Sequence, residues 1–452
     1  MLKRDAQSVV EQKTGDARSV QLVRQSTLVL AAQVVGLACA VLGNFVLAWM
    51  GGPEGKGLIY MLQLIGAVGI TVLSFGLGPA AVYYLGRDRN FAVEAAFTGT
   101  LSASLLLGSL PLLAFGALRP WWPELATAKL ESIYVLIALA SIPGMNAGLN
   151  MSYYALARQN MLGFNWLRVG TSVLFPLFLL ILLLLEVRSL LVIAALWLAS
   201  VWLPNAYLLW ERPRTPTTVR QTVEFQKKAF HFGWRSHLGG VTQYFQHRAD
   251  VLMVGFLLPL ADLGIYSLAV SLAEILWQVP HALSTVLMPH VARGSDEDAR
   301  RITPAFCRAA LAATAVLSLL LAGFGTVVIP LLLPAFRRSV TILCILLPGV
   351  VLASVFKVLA SDLTGRGRPL ETFRPALLSL LVSVVGCLWA LPRYGLVGVA
   401  LVTTIAYATN AALYLRRYTR LTSVGLTALL VPRSRDFFIV TNALRALWSR
   451  ST

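Results

Sequence analysis

Apolar runs long enough to cross a bilayer alternate with short polar segments along almost the whole chain. A helix needs about 20 apolar residues to span the hydrocarbon, and only helices or closed barrels satisfy their own backbone there. The pattern therefore predicts an all-α polytopic membrane protein with about 12 transmembrane helices. These helices are expected at 26–50, 56–85, 93–117, 132–157, 162–185, 189–210, 230–257, 262–288, 303–330, 339–361, 372–391 and 395–418.

Composition and charge support this interpretation and orient the chain. Hydrophobic residues make up 57% of the sequence and charged residues 13%, and 38 Lys and Arg against 20 Asp and Glu give a net charge of +18. With the N-terminus inside, cytoplasmic segments hold 25 basic residues and outer segments hold seven, Lys56 among the latter. Basic residues concentrate in cytoplasmic loops, so both termini are predicted to be cytoplasmic. The charge then indicates topology and attraction to lipid headgroups, and no nucleic-acid partner is expected.

The polar segments between the helices indicate both the function and the division of the chain. The loops are too short to hold a folded catalytic domain, and nucleotide-binding and hydrolase motifs are lacking. Both observations favour a transporter without cofactor or metal over an enzyme. In the C-terminal tail, one apolar face over 435–450 predicts an interfacial amphipathic helix, with a frayed end as the alternative. The predicted parts are an N-terminal tail (1–25), a first six-helix lobe (26–210), a linker (211–229), a second six-helix lobe (230–418) and a C-terminal tail (419–452).

The two predicted lobes share a weak internal repeat at an offset of 206 residues. Pro53 then aligns with Pro259, Ile59-Tyr60 with Ile265-Tyr266, and Arg168 with Arg374. Six crossings return the chain to the same side of the membrane, so the repeats would be parallel copies. Two such bundles facing each other across a central cleft are suited to alternating access.

The seventh predicted span is unusually polar for a membrane helix. At 100° per residue, one polar stripe forms around Arg235, and a second cluster lies on the opposite side. A helix polar on two faces is expected to line water or polar neighbours and not lipid, so it should border the cleft. The stripe comprises Arg235, His231, Gly239, Thr242, Gln246 and Asp250, and the second cluster comprises His237, Tyr244 and Arg248.

Three further basic residues, Arg168, Lys357 and Arg374, lie near the cytoplasmic ends of their helices. They could form a cationic vestibule that captures an anionic headgroup, or they could extend to the interface without a binding role. Arg248 and Asp250 point to different sides of their helix, so Arg248 is expected to pair with Glu274 on the next span. The candidates for ion coupling are Asp250, Glu274, His247 and His281, with hydrogen-bonded packing as the alternative for the histidines.

Three stretches resemble one transporter family. They are "GLIYMLQLIGAVGITVLSFGLGPAAVYYLGR", "RADVLMVGFLLPLADLGIYSLAVSLAEILWQVPHALSTVLMPHVAR", and "GRGRPLETFRP" followed by "PRYGLVGVALVTT". These stretches are similar to the polysaccharide-transporter, or Wzx-like, branch of the multidrug/oligosaccharidyl-lipid/polysaccharide exporter (MOP) superfamily. The resemblance extends over about residues 24–418.

The resemblance implies a flippase of the bacterial inner membrane. Such a protein moves an undecaprenyl-diphosphate-linked oligosaccharide from the cytoplasmic to the periplasmic leaflet, for O-antigen, capsule or exopolysaccharide synthesis, and can act with a glycan polymerase and a chain-length regulator. The candidate substrate-binding residues are Arg235, Arg168, Arg374, Arg248, Lys357, His231 and Gln246.

Three alternatives stay open at this stage. A cation-coupled multidrug exporter of the same superfamily is disfavoured because no acid lies in the middle of the first six spans. A lipid II flippase of the same superfamily often has more than twelve helices, which this chain cannot accommodate. A membrane glycan polymerase or ligase is expected to have a large outer loop, which this chain lacks.

Overall fold

The computed structural model describes residues 2–87, 93–118, 130–368, 370–431, 433 and 436, with the backbone alone for 2–28, 30, 235, 236 and 370. All regular structure in this part of the chain is helical, which confirms the all-α prediction. Two 3-10 helices, Leu203–Leu209 and Pro334–Phe336, accompany the α-helices. The α-helices are α1 (Leu2–Leu73), α2 (Leu77–Arg87), α3 (Val93–Leu118), α4 (Ser132–Ala157), α5 (Met161–Leu184), α6 (Leu190–Trp202), α7 (Val219–Leu257), α8 (Leu260–Ile275), α9 (Gln278–Arg293), α10 (Asp296–Leu332), α11 (Arg337–Gly365), α12 (Leu370–Thr422) and α13 (Leu426–Leu430).

The described helices account for the predicted twelve crossings. Nine stretches are long and apolar enough to span a membrane. Two of these, in α1 and α12, turn at Gly52 (φ 60°) and Gly395 (φ 55°) and therefore cross twice. Only glycine adopts this backbone region without strain, which explains the residue at each turn. The polar helix α7 is the twelfth crossing.

Several predicted boundaries are corrected by the structure. Helix α1 begins at Leu2, so residues 2–25 are helical and continuous with the first span. Helix α7 begins at Val219, inside the predicted linker, because Thr218 and Gln221 form a capping box that satisfies the free N–H groups of the first turn. The segment that joins the two halves is consequently only about residues 210–218.

The second and eighth spans, predicted as continuous helices, are both broken. The second bends at residues 74–76, where Phe75 and Gly76 have positive φ. The eighth is interrupted at 276–277 between α8 and α9. The breaks occupy similar positions in the two halves. Each broken span also begins at a proline that follows a turn, Pro53 in the second span and Pro259 in the eighth. This agreement supports the repeat that the sequence predicted.

The two halves meet in two places. Below, the "linker end" is the end of the bundle where residues 210–218 join the halves, and the "Gly52 end" is the opposite end. At the Gly52 end, α1 packs closely on α8. Toward the linker end, α7 lies on the first half, where Phe225 is buried against the cluster around Leu77 and Tyr154.

The C-terminal segment is held against α10. The Arg308 guanidinium bonds both carboxylate oxygens of Asp436, at 2.7 and 2.5 Å, and also donates to the carbonyl of Ala428. Leu429 is buried in the core of the second half. The amphipathic helix predicted over 435–450 lies outside the described residues, except for Asp436.

Candidate functional site

Equivalent tyrosines from the two halves both bond side chains of α7. The Tyr60 hydroxyl accepts a hydrogen bond from Arg248 at 3.1 Å, and the Tyr266 hydroxyl donates to the Asp250 carboxylate at 2.7 Å. Arg248 also pairs with Glu274, with N···O distances of 2.7 and 3.1 Å. The predicted Arg248–Glu274 contact is therefore present, and it links α7 to α8 beside the break in the eighth span.

That break forms an aromatic pocket around one lysine. The Lys357 ammonium lies 3.7 Å from the centre of the Trp277 ring, a cation–π contact. The His247 ring packs edge-on against Trp277 at 5.0 Å and parallel to Phe356 at 6.2 Å. Both His247 ring nitrogens are buried and find no hydrogen-bond partner among the described residues. The pocket thus combines a cation, a histidine with free hydrogen-bonding capacity and flat apolar walls.

Cations from both halves converge beside this pocket. Arg168 of α5 and Lys357 of α11 both lie within electrostatic range of His281 on α9. Arg168 and His281 are exposed, and the Arg168 guanidinium lies 6.0 Å from the centre of the Tyr153 ring. Within the described part of the chain, neither Arg168 nor Lys357 forms an ion pair with a carboxylate. Two basic groups from the two halves, neither ion-paired with a carboxylate in this part of the chain, therefore lie near the same histidine.

The polar stripe predicted on α7 is only partly oriented as expected. Gln246 and Asp250 are 5% and 4% exposed and bond Ser379 and Tyr266 inside the second half, so these two side chains do not line an open cleft. Helical periodicity shows which residues share a face but not which neighbour covers that face, so the sequence could not place these two side chains. Their roles in substrate binding and ion coupling stay predictions. His231 is exposed, whereas the Arg235 side chain lies outside the described residues.

Arg374, the repeat partner of Arg168, is exposed at the linker end of α12 and lies within electrostatic range of Glu371. The two arginines thus have different surroundings, because Arg374 lies near a carboxylate of its own helix whereas Arg168 lies near His281 of the opposite half.

Sequence reasoning missed two members of the site. Trp277 looked like one of many apolar residues until the helix break placed it under Lys357. Lys56 was assigned to an outer loop, yet the structure buries it to 1% exposure in the first helical turn after Gly52. The repeat could have indicated the surroundings of Lys56. Tyr60 lies four residues after Lys56, and it aligns with Tyr266 of the second half.

An apolar groove of about 860 Å³ opens on the other side of α5 from Arg168. Helices α1 and α5 and residues 203–210 line it almost entirely with hydrophobic side chains such as Val35, Trp166 and Val173. None of the predicted binding residues whose side chains the structure describes lies in it. Within a bilayer, such a surface faces hydrocarbon and does not offer the polar groups that a headgroup needs.

Comparisons with known proteins agree with this architecture. The sequence matches the family described as "Polysaccharide biosynthesis protein" over residues 46–336, which is more than half of the chain. No curated protein matches the sequence significantly.

Among solved structures, the fold is similar to "Lipid II flippase MurJ, inward closed conformation", with TM-score 0.67, 14% identity and coverage of 95% of this chain and 98% of that chain. It is also similar to an inward-facing multidrug resistance MATE family transporter of the MOP superfamily, with TM-score 0.62, 15% identity and coverage of 86% and 95%. A MATE structure in the straight conformation follows, with TM-score 0.56, 15% identity and coverage of 89% and 96%. At these identities the likeness establishes the fold. The chain is therefore a multi-pass membrane protein that belongs to the polysaccharide biosynthesis protein family and has the transporter fold of the MOP superfamily, as the resemblance in its sequence predicted.

Proposed function

We propose that this protein is a flippase that moves an undecaprenyl-diphosphate-linked oligosaccharide from the cytoplasmic to the periplasmic leaflet of a bacterial inner membrane. The observation that supports this proposal most directly is that Arg168 and Lys357, from opposite halves, both lie near His281, and that neither is ion-paired with a carboxylate among the described residues. In this proposal the two cations bind the diphosphate. The polyprenyl tail stays in lipid throughout.

The physical problem that such a transporter solves is the headgroup. A diphosphate and its sugars cannot enter hydrocarbon without losing their hydration, whereas a polyprenyl chain dissolves there. Arg and Lys replace part of the lost hydration with charge-assisted hydrogen bonds to phosphate oxygens. The flat walls of Trp277 and Tyr153, each beside one of the cations, suit the apolar faces of sugar rings.

Alternating access would follow from a relative movement of the two halves. Because Arg168 belongs to the first half and Lys357 to the second, a bound diphosphate would hold the halves together at this level. Opening at the Gly52 end would then release the headgroup to the periplasmic side. In this proposal the N- and C-termini are cytoplasmic, and a polymerase with its chain-length regulator would use the flipped glycan.

The test uses proteoliposomes with purified protein and a fluorescent polyprenyl-diphosphate oligosaccharide, and follows loss of label from the outer leaflet. Wild-type protein should move the lipid faster than empty vesicles do. Arg168→Ala and Lys357→Ala should each slow translocation about 10- to 100-fold, the loss expected when a charge-assisted hydrogen bond of about 1.5–3 kcal/mol is removed.

Arg158→Ala is the matched control, because Arg158 is exposed at the same end of the bundle but outside the pocket. It should translocate at the wild-type rate. Equal rates for all four proteins would exclude the Arg168–Lys357 site. If folded wild-type protein moves none of a panel of lipid-linked glycans, with proton and sodium gradients both tried, the flippase proposal is wrong and multidrug export becomes the function to test.

The multidrug alternative has one structural observation for it and one against it. Two carboxylates of the second half support the multidrug alternative. These are the buried carboxylate of Asp250 and the carboxylate of Glu274, both able to serve ion coupling. Against it, the first half buries no carboxylate within the described residues, and the free charges between the halves are cations. Cations at that position favour an anionic substrate.

A further inference from the structure

Lys56 is a buried cation with almost no compensation. Lys56 is 1% exposed, its ammonium donates to the side-chain amide oxygen of Asn44, and the Tyr60 ring centre lies 5.6 Å away. An ammonium group has three donors, and the described residues provide one acceptor and one ring face. No ion pair with a carboxylate compensates the charge within the described part of the chain. Such a charge is unfavourable in a membrane interior unless another state of the protein pairs it.

Lys56 is the neighbour in sequence of a close contact between the two halves at the Gly52 end. A Cβ on Gly57 would lie 1.8 Å from the backbone oxygen of Leu260, and one on Gly264 would lie 1.9 Å from the backbone oxygen of Pro53. The start of the second span and the start of the eighth therefore touch through their backbones, immediately beside Lys56. If the halves separate at this end, this contact has to open first.

Polar groups connect Lys56 with the Lys357 pocket. Tyr60, next to Lys56, accepts from Arg248, and Arg248 pairs with Glu274. Glu274 in turn lies within electrostatic range of Lys357. Three basic groups, Lys357, Arg248 and Lys56, thus follow one another between the two halves in the direction of the Gly52 end. Lys56 is the last of them.

We propose that Lys56 is an anion-binding residue of the state that is open at the Gly52 end, where its ammonium binds the diphosphate after Arg168 and Lys357 release it. This inference rests on the proposed function for the identity of the anion, and on the geometry at Gly57 and Gly264 for its timing. Lys56 is enclosed while the two helices touch and becomes available when they part. A phosphate-bearing headgroup then provides the acceptors that the closed state lacks.

The first experiment measures translocation of the fluorescent lipid-linked oligosaccharide by Lys56→Met, Lys56→Arg and Arg188→Met. Met keeps the length of the side chain without its charge, so Lys56→Met should slow translocation at least about 10-fold, whereas Lys56→Arg should stay within about threefold of wild type. Arg188 is exposed at the same end and contacts the Trp49 ring, so Arg188→Met should match wild type.

Affinity for the lipid in the resting state should not change in Lys56→Met, because Arg168 and Lys357 are intact. A wild-type rate for Lys56→Met would refute the proposal.

The second experiment does not depend on any glycan. A Gly57→Val variant cannot form the closed contact, and Gly264→Val removes the same contact from the other helix if the first variant folds poorly. In an Arg168→Ala/Lys357→Ala background, either glycine variant should bind inorganic pyrophosphate, and adding Lys56→Met should weaken that binding at least about 10-fold. Equal binding with and without Lys56→Met would overturn the inference.

The two experiments separate the two proposals. If wild-type protein flips no glycan while pyrophosphate binding depends on Lys56, the proposed function fails and the anion site stands. If the glycan is flipped but Lys56→Met changes neither measurement, the flippase stands and Lys56 has no binding role.

Discussion

The cores of the two halves differ in chemistry although their helices follow the same plan. In the first half, three neutral residues form the buried polar network: Asn150 donates to the Asn146 side chain and to the Ser104 hydroxyl, both at 3.0 Å. In the second half, the polar contacts between α7 and α8 carry charge, with Arg248 on Glu274 and Asp250 on Tyr266. Neutral amides hold a backbone in place whatever is bound, whereas charges respond to an ionic ligand.

The helix breaks show the consequence of this difference. Around the break at 74–76, Asn150 accepts from the Gly78 N–H at 2.9 Å and Asn146 donates to the Leu73 carbonyl at 3.4 Å. Around the break at 276–277, by contrast, Glu274 and Trp277 engage Arg248 and Lys357. We infer that the first half is a frame that contributes Arg168 and Lys56, and that the second half carries most of the other charged contacts.

The largest effect is expected from Asn150→Ala, which attacks the neutral network. The change removes three hydrogen bonds and leaves the Gly78 N–H and the Asn146 side-chain oxygen without partners in an apolar interior. We expect a loss of about 2–4 kcal/mol in the free energy of unfolding, measured by thermal unfolding in detergent. Ser152→Ala is the control on the same helix, because Ser152 bonds only the carbonyl of Leu149 in its own helix. If both variants unfold at the same temperature, the network does not stabilise the break.

A smaller effect is expected from Glu274→Gln, which leaves Arg248 without its counterion. The cost should be about 1–2 kcal/mol, below the value for a fully enclosed pair, because the Glu274 side chain is 36% exposed. Arg248→Met/Glu274→Met should be more stable than Glu274→Gln. The exposed pair of Glu224 and Lys228 provides the control, since Glu224→Gln should cost no more than about 0.5 kcal/mol. If Arg248→Met/Glu274→Met is no more stable than Glu274→Gln, the charges of Arg248 and Glu274 are not coupled.

The smallest effect is expected from Tyr266→Phe, which removes one hydrogen bond to Asp250 and keeps the ring in place. The cost should be about 1 kcal/mol, the net contribution of a single hydrogen bond. Tyr60→Phe, at the equivalent position, should cost a similar amount through the loss of its bond to Arg248. Thermal unfolding of the two variants tests whether equivalent positions of the repeat contribute equally to stability. A difference above about 2 kcal/mol between their free energies of unfolding would show that they do not.

Much of the fold was predictable from the sequence. Helix α4 was predicted over its observed range, 132–157, because a long apolar run between polar segments leaves few other choices. The sequence also indicated that Arg248 and Asp250, two residues apart on one helix, would find partners on other helices, and Glu274 was the candidate for Arg248. The breaks at 74–76 and 276–277 could not be predicted, because each lies inside an apolar run and partners from distant helices satisfy its backbone or side chains.

The sequence by itself determined that this chain is an all-α membrane protein, because the thickness of the bilayer and its lack of water impose helix length and apolarity on every span. Its quoted motifs, and not this physical constraint, indicated the polysaccharide biosynthesis family. Only the tertiary structure decided that Lys56 is buried, that Gln246 and Asp250 turn into the second half, and that Arg168 and Lys357 both lie near His281. A side chain's surroundings depend on which helices cover its face, and those helices lie tens or hundreds of residues away in the chain.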